Sequence, residues 1–595
     1  MKCNICEIRC DINEHSNGRC GTYISDGNAV LQDPSIGYLK ADPISIETVP
    51  ILHYYPSGKF LQVFSNGCNF RCPGCVTRLV SSSSSLDWPN ISLSQVISIA
   101  MQQECIGIVS MLNEPAANYY LFKELATLAK EHGLLVGCST NCYFTDEALK
   151  ELGNLLDFVS VGIKGFSNRS YRVCGVSASD PVFRNIATLI RMDVHVEAAV
   201  VYYRGNEDEI VNVTKKLSDI SSTIPMQIMR FIPFGDASLE LEPSVGEAER
   251  LCKTLSEHVD HVYLFNSPGT EMLHTYCPKC GRLLVEREYH GPMGSTLLKP
   301  WTKYTCKCDY KVPVKGISSI NMHDEIGFRG YRITRACGIV HAVLTCLGVA
   351  DDTMLLSLWK SISDNETLLK IQSMTQHPCS YLEFIRLIAN KAGLERQGEE
   401  LISFIKKRLE LVYGIVAENE GHSVYYCMSS PLFALNAGRM ENNLVTFAGG
   451  YSINKLLERD GKPGINVHPN FVNQHNPKTI FISGVLSRPL YEFYSLCRQY
   501  DIEPDAVVEQ RVYAIPTSWD FGSPRWILGL LYITDKMYPG KLGVDIKKEA
   551  NEFYKRFYGM DFKDATPNRS MHRPSSRNWP SIEENAIMLS SEYKL

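Results

Sequence analysis

The sequence predicts an α/β protein with two α/β halves. Three observations lead there. Apolar runs alternate with amphipathic stretches from residue 59 to about 265. The first run leads straight into three closely spaced cysteines, Cys68, Cys72 and Cys75. Residues 325 to 562 then carry a second series of apolar runs around one long helical stretch, and their cysteines no longer pair.

A chain of 595 residues is too long for one core, so several domains are expected. Apolar residues make up 44% and the net charge is −5 with both signs interspersed, as in a soluble globular protein. That balance gives no reason to expect nucleic acid or an anionic membrane as partner. Twenty-one cysteines in a long chain with Cys-x2-Cys clusters argue for metal ligation in a reducing compartment. Met1 to Cys6 has neither the charged nor the apolar segment of an export signal. The most apolar long window, Ile333 to Ala350, is broken by Arg335 and His341, so no membrane span is expected. The expected location is cytoplasmic.

Residues 1 to 58 form a cysteine-rich leader. Cys3, Cys6, Cys10 and Cys20 are spaced C-x2-C-x3-C-x9-C among Gly, Asn and Asp. Apolar periodicity is too sparse for an independent core, so a metal is a plausible organiser. Four thiolates suit zinc or an auxiliary iron–sulfur cluster.

Residues 59 to 265 follow as βαβ units. The strand-like runs are Phe60–Phe64, Gly107–Met111, Leu134–Ser139, Phe158–Gly162, His195–Val201, Met226–Phe231 and His261–Leu264. Amphipathic stretches such as Asn118–His132, Thr145–Asn154 and Asn206–Asp219 separate them. The alternation implies six or seven parallel units, with chemistry at the C-terminal strand ends. The cysteine loop, Ser65 to Cys75, falls at such an end. Its C-x3-C-x2-C spacing can hold three irons of a [4Fe–4S] cube and leave the fourth open, whereas an electron-carrying cluster normally takes four cysteines. The next strand ends in Met111-Leu112-Asn113-Glu114-Pro115, where a carboxylate can accept from an ammonium. Ser139-Thr140-Asn141 ends the third strand, and Glu197, within the fifth, needs a partner if it faces the interior.

These motifs resemble the radical S-adenosylmethionine (SAM) superfamily, which implies a partial (β/α)6 barrel. The leader, Asp42-Pro43-Ile44, Gly67-Cys68-Asn69-Phe70, Asn113-Glu114-Pro115 and Lys164-Gly165-Phe166 resemble more narrowly the AmmeMemoRadiSam-system radical SAM proteins, relatives of the pyruvate formate-lyase activating enzyme. This resemblance covers residues 1 to about 316. It implies that Cys68, Cys72 and Cys75 ligate the cluster and that Glu114, beside Asn113, holds the SAM amino group. Asn141, by its position at the end of the third strand alone, is a candidate to reach the ribose or carboxylate. A reductant such as ferredoxin or flavodoxin and an anaerobic host are implied as well. The chain departs from the pattern at Gly162, where relatives tend to have Asp, and at Thr77, where Gln-Asn after the cluster is usual.

Residues 266 to 324 hold a knuckle, Cys277-Pro-Lys-Cys280, and a later pair, Cys306-Lys-Cys308. Two close pairs separated by a loop are a strong ligand signal. Zinc is favoured over an auxiliary iron–sulfur cluster, with a structural role.

Residues 325 to 562 begin with a helix over Gly338–Leu347 and a long one over Gln397–Ala417. Strands are expected at His422–Cys427, Leu444–Phe447, Thr479–Ser483 and Val507–Ile515. Thr446-Phe447-Ala448-Gly449-Gly450, Asn476 to Ile482, Arg511 to Pro516, Ser523 to Trp526 and Phe553 to Gly559 resemble the substrate-binding proteins of iron-siderophore and cobalamin ABC transporters. That implies a two-lobed class III periplasmic-binding-protein-like α/β domain with a ligand between its lobes. Trp519 and Arg525 are candidate cleft residues. Residues 563 to 595 read as a polar tail.

The reading these features support is a radical SAM enzyme that makes a 5′-deoxyadenosyl radical and acts on a substrate such as a metal chelate or tetrapyrrole. The alternatives are an activase for a glycyl-radical protein and a non-enzymatic chelate-sensing module.

Overall fold

A computed structural model describes residues 1–13, 17–73, 75–77, 89–232, 241–320, 323, 331–457, 462–484, 486 and 488–562. The chain forms two compact units. One comprises Met1–Phe231, Glu247–Asn266 and Glu271–Thr334, the other Ile232–Gly246, Ser267–Thr270 and Arg335–Leu595. The expected polar tail lies outside the described residues.

The first unit is built on an eight-stranded sheet. Its strands are β1 (Lys40–Ser45), β2 (Lys59–Phe64), β3 (Gly107–Ser110), β4 (Leu135–Thr140), β5 (Phe158–Ile163), β6 (His195–Tyr202), β7 (Met226–Arg230) and β8 (Val262–Phe265). Strand order follows chain order. β1 runs antiparallel to β2, and all other neighbours are parallel. Seven parallel strands therefore descend from the seven apolar runs. β1 was not anticipated, because Pro43 interrupts its pattern. An edge strand tolerates that proline, which sits opposite Leu61 in the ladder. Helices start where the sequence supplies caps: Ser92 forms a capping box with Gln95, and Thr145 caps Asp146–Gly153.

A segment after β1 plugs the N-terminal end of this sheet. Glu197, third residue of β6, accepts from the Leu52 N–H at 2.9 Å and the His53 N–H at 2.7 Å. The Gln227 amide also donates to it, and His195 Nε2 lies 2.9 Å away. Glu197 thus faces the interior fully partnered, at the opposite strand end from the cysteines, and ties the plug in place. Beside it a fully buried ion pair joins Arg287 Nε to Glu47 at 2.8 Å. Ser295 Oγ donates to the same carboxylate at 3.0 Å, and Arg287 donates to Thr275 Oγ1 at 2.6 Å.

The second unit has one six-stranded sheet among its described residues. Its strands are β9 (Ser423–Cys427), β10 (Phe433–Leu435), β11 (Tyr451–Ser452), β12 (Gly464–Asn466), β13 (Thr479–Ile482) and β14 (Val512–Ala514). The order is β12-β10-β9-β13-β14, with β11 also on β9. β9, β13 and β14 are parallel, and β10 runs antiparallel to both of its neighbours, β9 and β12. Helices Tyr331–Cys346, Pro378–Ala392, Glu395–Glu418, Trp526–Met537 and Ile546–Tyr558 supply most of the rest. Among the described residues no helix is long and apolar enough to cross a membrane.

Three expectations change here. Leu444–Phe447 is the last turn of helix Met440–Phe447, which buries Met440, Leu444 and Val445 on one face. A short apolar run does not by itself separate strand from helix. Val507–Ile515 divides into a turn of helix, Asp505–Val508, and the shorter β14. Trp519 and Arg525 are core residues, 1% and 2% exposed. Arg525 Nε donates to Ser523 Oγ at 3.0 Å and its guanidinium stands 5.8 Å from the Tyr558 ring centroid.

Two predictions follow from these buried charges. Arg287→Leu strands the Glu47 carboxylate and should cost roughly 3–5 kcal/mol of stability, read as a fall in the denaturant midpoint. In the second unit, Asp520 accepts from Tyr426 Oη at 3.1 Å and the Gly484 N–H at 2.9 Å. Burial, then the nearby Glu441 carboxylate, pushes it up to about 7. An acid raised on folding stabilises the fold when protonated. That contribution is complete below ~4 and disappears as pH rises through the folded value. Denaturation followed from pH 4 to pH 8 should show the loss, and Asp520→Asn should flatten it.

Candidate functional site

Four adjacent parallel strands deliver the candidate residues to one end of the sheet. β2 leads into Cys68, β3 into Asn113 and Glu114, β4 into Thr140 and Asn141, and β5 into Lys164. In-register parallel pairing of β2 through β5 brings these ends together.

Glu114 is the hub. Its Oε1 accepts from the Ala116 N–H at 3.2 Å and Thr140 Oγ1 at 2.5 Å, and its Oε2 accepts from the Asn141 N–H at 2.8 Å. Its own N–H donates to the Gly67 carbonyl at 3.1 Å, which holds the cysteine loop. A carboxylate offers about four acceptor sites, so three donors leave one for a bound ammonium. Burial pushes the Glu114 carboxyl up, and the three donors oppose it. Asn113 Oδ1 accepts from the Ser65 N–H at 2.9 Å. The Asn141 side chain donates to Asn69 Oδ1 at 2.7 Å. Asn113 and Asn141 are thus committed to shaping the loop.

Cys68, Cys72 and Cys75 are partly exposed at this end. The Phe70 N–H donates to Cys68 Sγ at 3.4 Å, and Cys75 Sγ lies 3.3 Å from Thr77 Oγ1. Thr77, a departure from the resembled pattern, therefore acts on a candidate ligand. Gly67 has φ +100°, and a Cβ there would stand 2.6 Å from Thr22 Cγ2, so only glycine lets the loop pass the leader.

Two residues were given no site role from the sequence, Lys164, which lies in a resembled motif, and Cys174. Burial alone would lower Lys164, but the thiol groups of Cys72, Cys174, Cys75 and Cys68 around it raise it and prevail. The ammonium is thus placed to offset thiolate charge. A Cβ built on Gly162 meets Lys164 Nζ at 3.2 Å. A larger side chain there would contact this lysine, and glycine leaves it to the thiols. Cys174 brings a fourth thiol against Cys72. Their hydrogen bond is the main reason Cys72 is raised, and it lowers Cys174. Proximity to the motif in space was the only signal for it.

Donor type, loop geometry and a neighbouring cation all fit a cluster held by three thiolates, and Glu114 retains capacity for an ammonium. The residues present therefore suit a [4Fe–4S] cluster with SAM.

The knuckle has different geometry. Cys277 Sγ lies 3.4 Å from Cys308 Sγ, and Cys280 Sγ lies 3.5 Å from Cys306 Sγ. All four sulfurs lie within 4.8 Å of one another. Four thiolates at ~2.3 Å from one tetrahedral ion stand ~3.8 Å apart, so a single zinc fits. The Tyr310 N–H, foremost, lowers the Cys308 thiol to about 7. The leader cysteines do not form such a tight group. They line one small cavity together with Asn69.

In the second unit a cavity of about 440 Å³ is lined by Cys346, Gln397, Glu400, Arg556 and Tyr558 among others. Trp519 and Arg525 are not among its walls.

Residues 63–217 match the family model described as Radical SAM superfamily. The chain is 28% identical over 299 residues to Uncharacterized protein MJ0808 of Methanocaldococcus jannaschii, a match covering 48% of this chain and 87% of that protein. Solved structures similar to it include a periplasmic solute binding protein from Veillonella parvula, with 19% identity, TM-score 0.28 and coverage of 32% of this chain and 60% of the other. Another is the molybdate periplasmic binding protein MolA of Haemophilus influenzae, with 20% identity, TM-score 0.27 and coverage of 35% and 63%. The chain thus spans about three fifths of the length of these binding proteins.

For the knuckle, protein purified without added metal should carry about one zinc per chain. Cys280→Ala should reduce this to near zero and lower the melting temperature, as elemental analysis and thermal denaturation would show.

With three cysteines on the loop after β2 and the family model beginning within that strand, residues 63–217 form a radical SAM superfamily domain.

Proposed function

We propose that this protein is a radical SAM enzyme. Cys68, Cys72 and Cys75 hold a [4Fe–4S] cluster, and Glu114 receives the SAM ammonium. The observation that carries this reading is the meeting of the three thiols, the Lys164 ammonium and the Glu114 carboxylate at the C-terminal ends of β2, β3 and β5.

When bound, the cluster supplies an electron that cleaves SAM to methionine and a 5′-deoxyadenosyl radical, which takes a hydrogen atom from the substrate. The chain does the rest. Glu114 fixes the ends of β3 and β4 and keeps one acceptor site for the ammonium. Lys164 offsets the charge of the thiolates. Asn113 and Asn141 hold the loop that positions the cysteines.

Its electron donor is a low-potential carrier such as ferredoxin or flavodoxin, and it works in a reducing, oxygen-poor compartment. The binding-protein-like phrases of the second unit support a metal chelate or tetrapyrrole as substrate, held by that unit.

The test is anaerobic. Protein reconstituted with iron and sulfide, then given dithionite and SAM, should release 5′-deoxyadenosine, and Cys72→Ala should release none. Glu114→Gln should raise the KM for SAM roughly 10- to 100-fold, the weight of one charge-assisted hydrogen bond. A full, reducible cluster that leaves SAM intact would sink this reading.

A further inference from the structure

The leader cysteines are the cluster of metal-ligating groups that the proposed reaction leaves without a role. Cys3, Cys6, Cys10 and Cys20 are all free thiols and all line one cavity of about 10 Å³. A single zinc draws four sulfurs to ~2.3 Å from one centre, where they touch and leave no such space. The knuckle shows that tight arrangement, with every sulfur within 4.8 Å of the others. Among the described residues the leader thiols do not reach it. Thiolates spread wider than one ion would draw them are what a polynuclear group requires, and four cysteines are the usual ligand set of an iron–sulfur cluster.

The surroundings match. The Arg19 N–H donates to Cys10 Sγ at 3.4 Å and Thr22 Oγ1 to Cys20 Sγ at 3.2 Å, the kind of contact that tunes cluster potentials. The Asn69 amide borders the same cavity. Its Nδ2 is buried and makes no hydrogen bond.

Position gives the site its use. Asn69 is the residue after Cys68, so one residue separates the two thiol sets. Tyr23 Oη donates to the Ala116 carbonyl at 2.8 Å, and the Thr145 N–H donates to Ile5 O at 3.1 Å. Arg71 also donates to the Arg19 carbonyl. The leader is thereby fixed against the loops that follow β2, β3 and β4.

Resting on the function proposed above, we infer that Cys3, Cys6, Cys10 and Cys20 hold a second iron–sulfur cluster, which passes electrons to the cluster held by Cys68, Cys72 and Cys75. One electron arrives from a low-potential one-electron carrier and reduces the leader cluster. The same electron then reduces its neighbour, and the leader cluster returns to its oxidised state. No proton or bond change is required.

The experiment separates this inference from the enzyme reading, because it first removes the three loop thiols. Full-length protein with Cys68, Cys72 and Cys75 all changed to Ala is reconstituted anaerobically. It should retain about two to four iron, with matching sulfide, per chain, and should give an electron paramagnetic resonance signal after dithionite. Adding Cys6→Ala and Cys20→Ala should remove both iron and signal, while zinc at the knuckle reports that the chain still folds. Zinc in place of iron at the leader, or iron unchanged by the added substitutions, overturns the inference. In the unaltered chain the two reduced clusters should broaden each other's signals. A spectrum that equals the sum of the two single-cluster variants overturns the relay. Failure of SAM cleavage with both clusters filled would count against the enzyme reading alone.

Discussion

The upper end of the first unit depends on one buried carboxylate. Glu114 links the loop after β3 to Thr140 and Asn141 at the end of β4, and its backbone N–H anchors Gly67 before the cysteines. Asn141 carries the tie on to Asn69, which separates the cysteine loop from the leader. Such a network is strong because it is buried: each donor that satisfies the carboxylate also removes a desolvation penalty. One residue can therefore serve as scaffold and ligand receptor, since three donors leave an acceptor site over.

The two ends of the sheet divide the work. At the N-terminal end the partnered Glu197 and the Glu47–Arg287 ion pair hold the plug in place. At the C-terminal end the polar groups are only partly satisfied, and thiols and an ammonium face one another. This matches the usual division in parallel barrels, where one end stabilises and the other reacts. It also accounts for Glu197 being structural although it is acidic and interior.

The three cysteine groups differ in the space they enclose. The knuckle sulfurs have closed on a centre the size of one ion. The leader sulfurs surround a gap. The loop sulfurs share their end of the barrel with Lys164 and Cys174. Identical side chains thus form three different arrangements, and backbone spacing alone does not distinguish them.

Much of the first unit was legible because its signals are local. Seven apolar runs became seven parallel strands, and Cys68, Cys72, Cys75 and Glu114, marked by short motifs, lie past the C-terminal ends of two of them. The second unit was legible in part. Helix Glu395–Glu418 and strands β9 and β13 followed from periodicity, whereas Leu444–Phe447 did not, since four apolar residues suit either element. Only the tertiary structure decided the remainder. Lys164 and Cys174 join the site through contacts between different strand ends, Trp519 and Arg525 turn inward, and the leader docks beside Asn69. Motif and period are properties of neighbours in the chain. Where the leader docks is set by packing between segments more than a hundred residues apart, as where the Ile5 carbonyl accepts from Thr145.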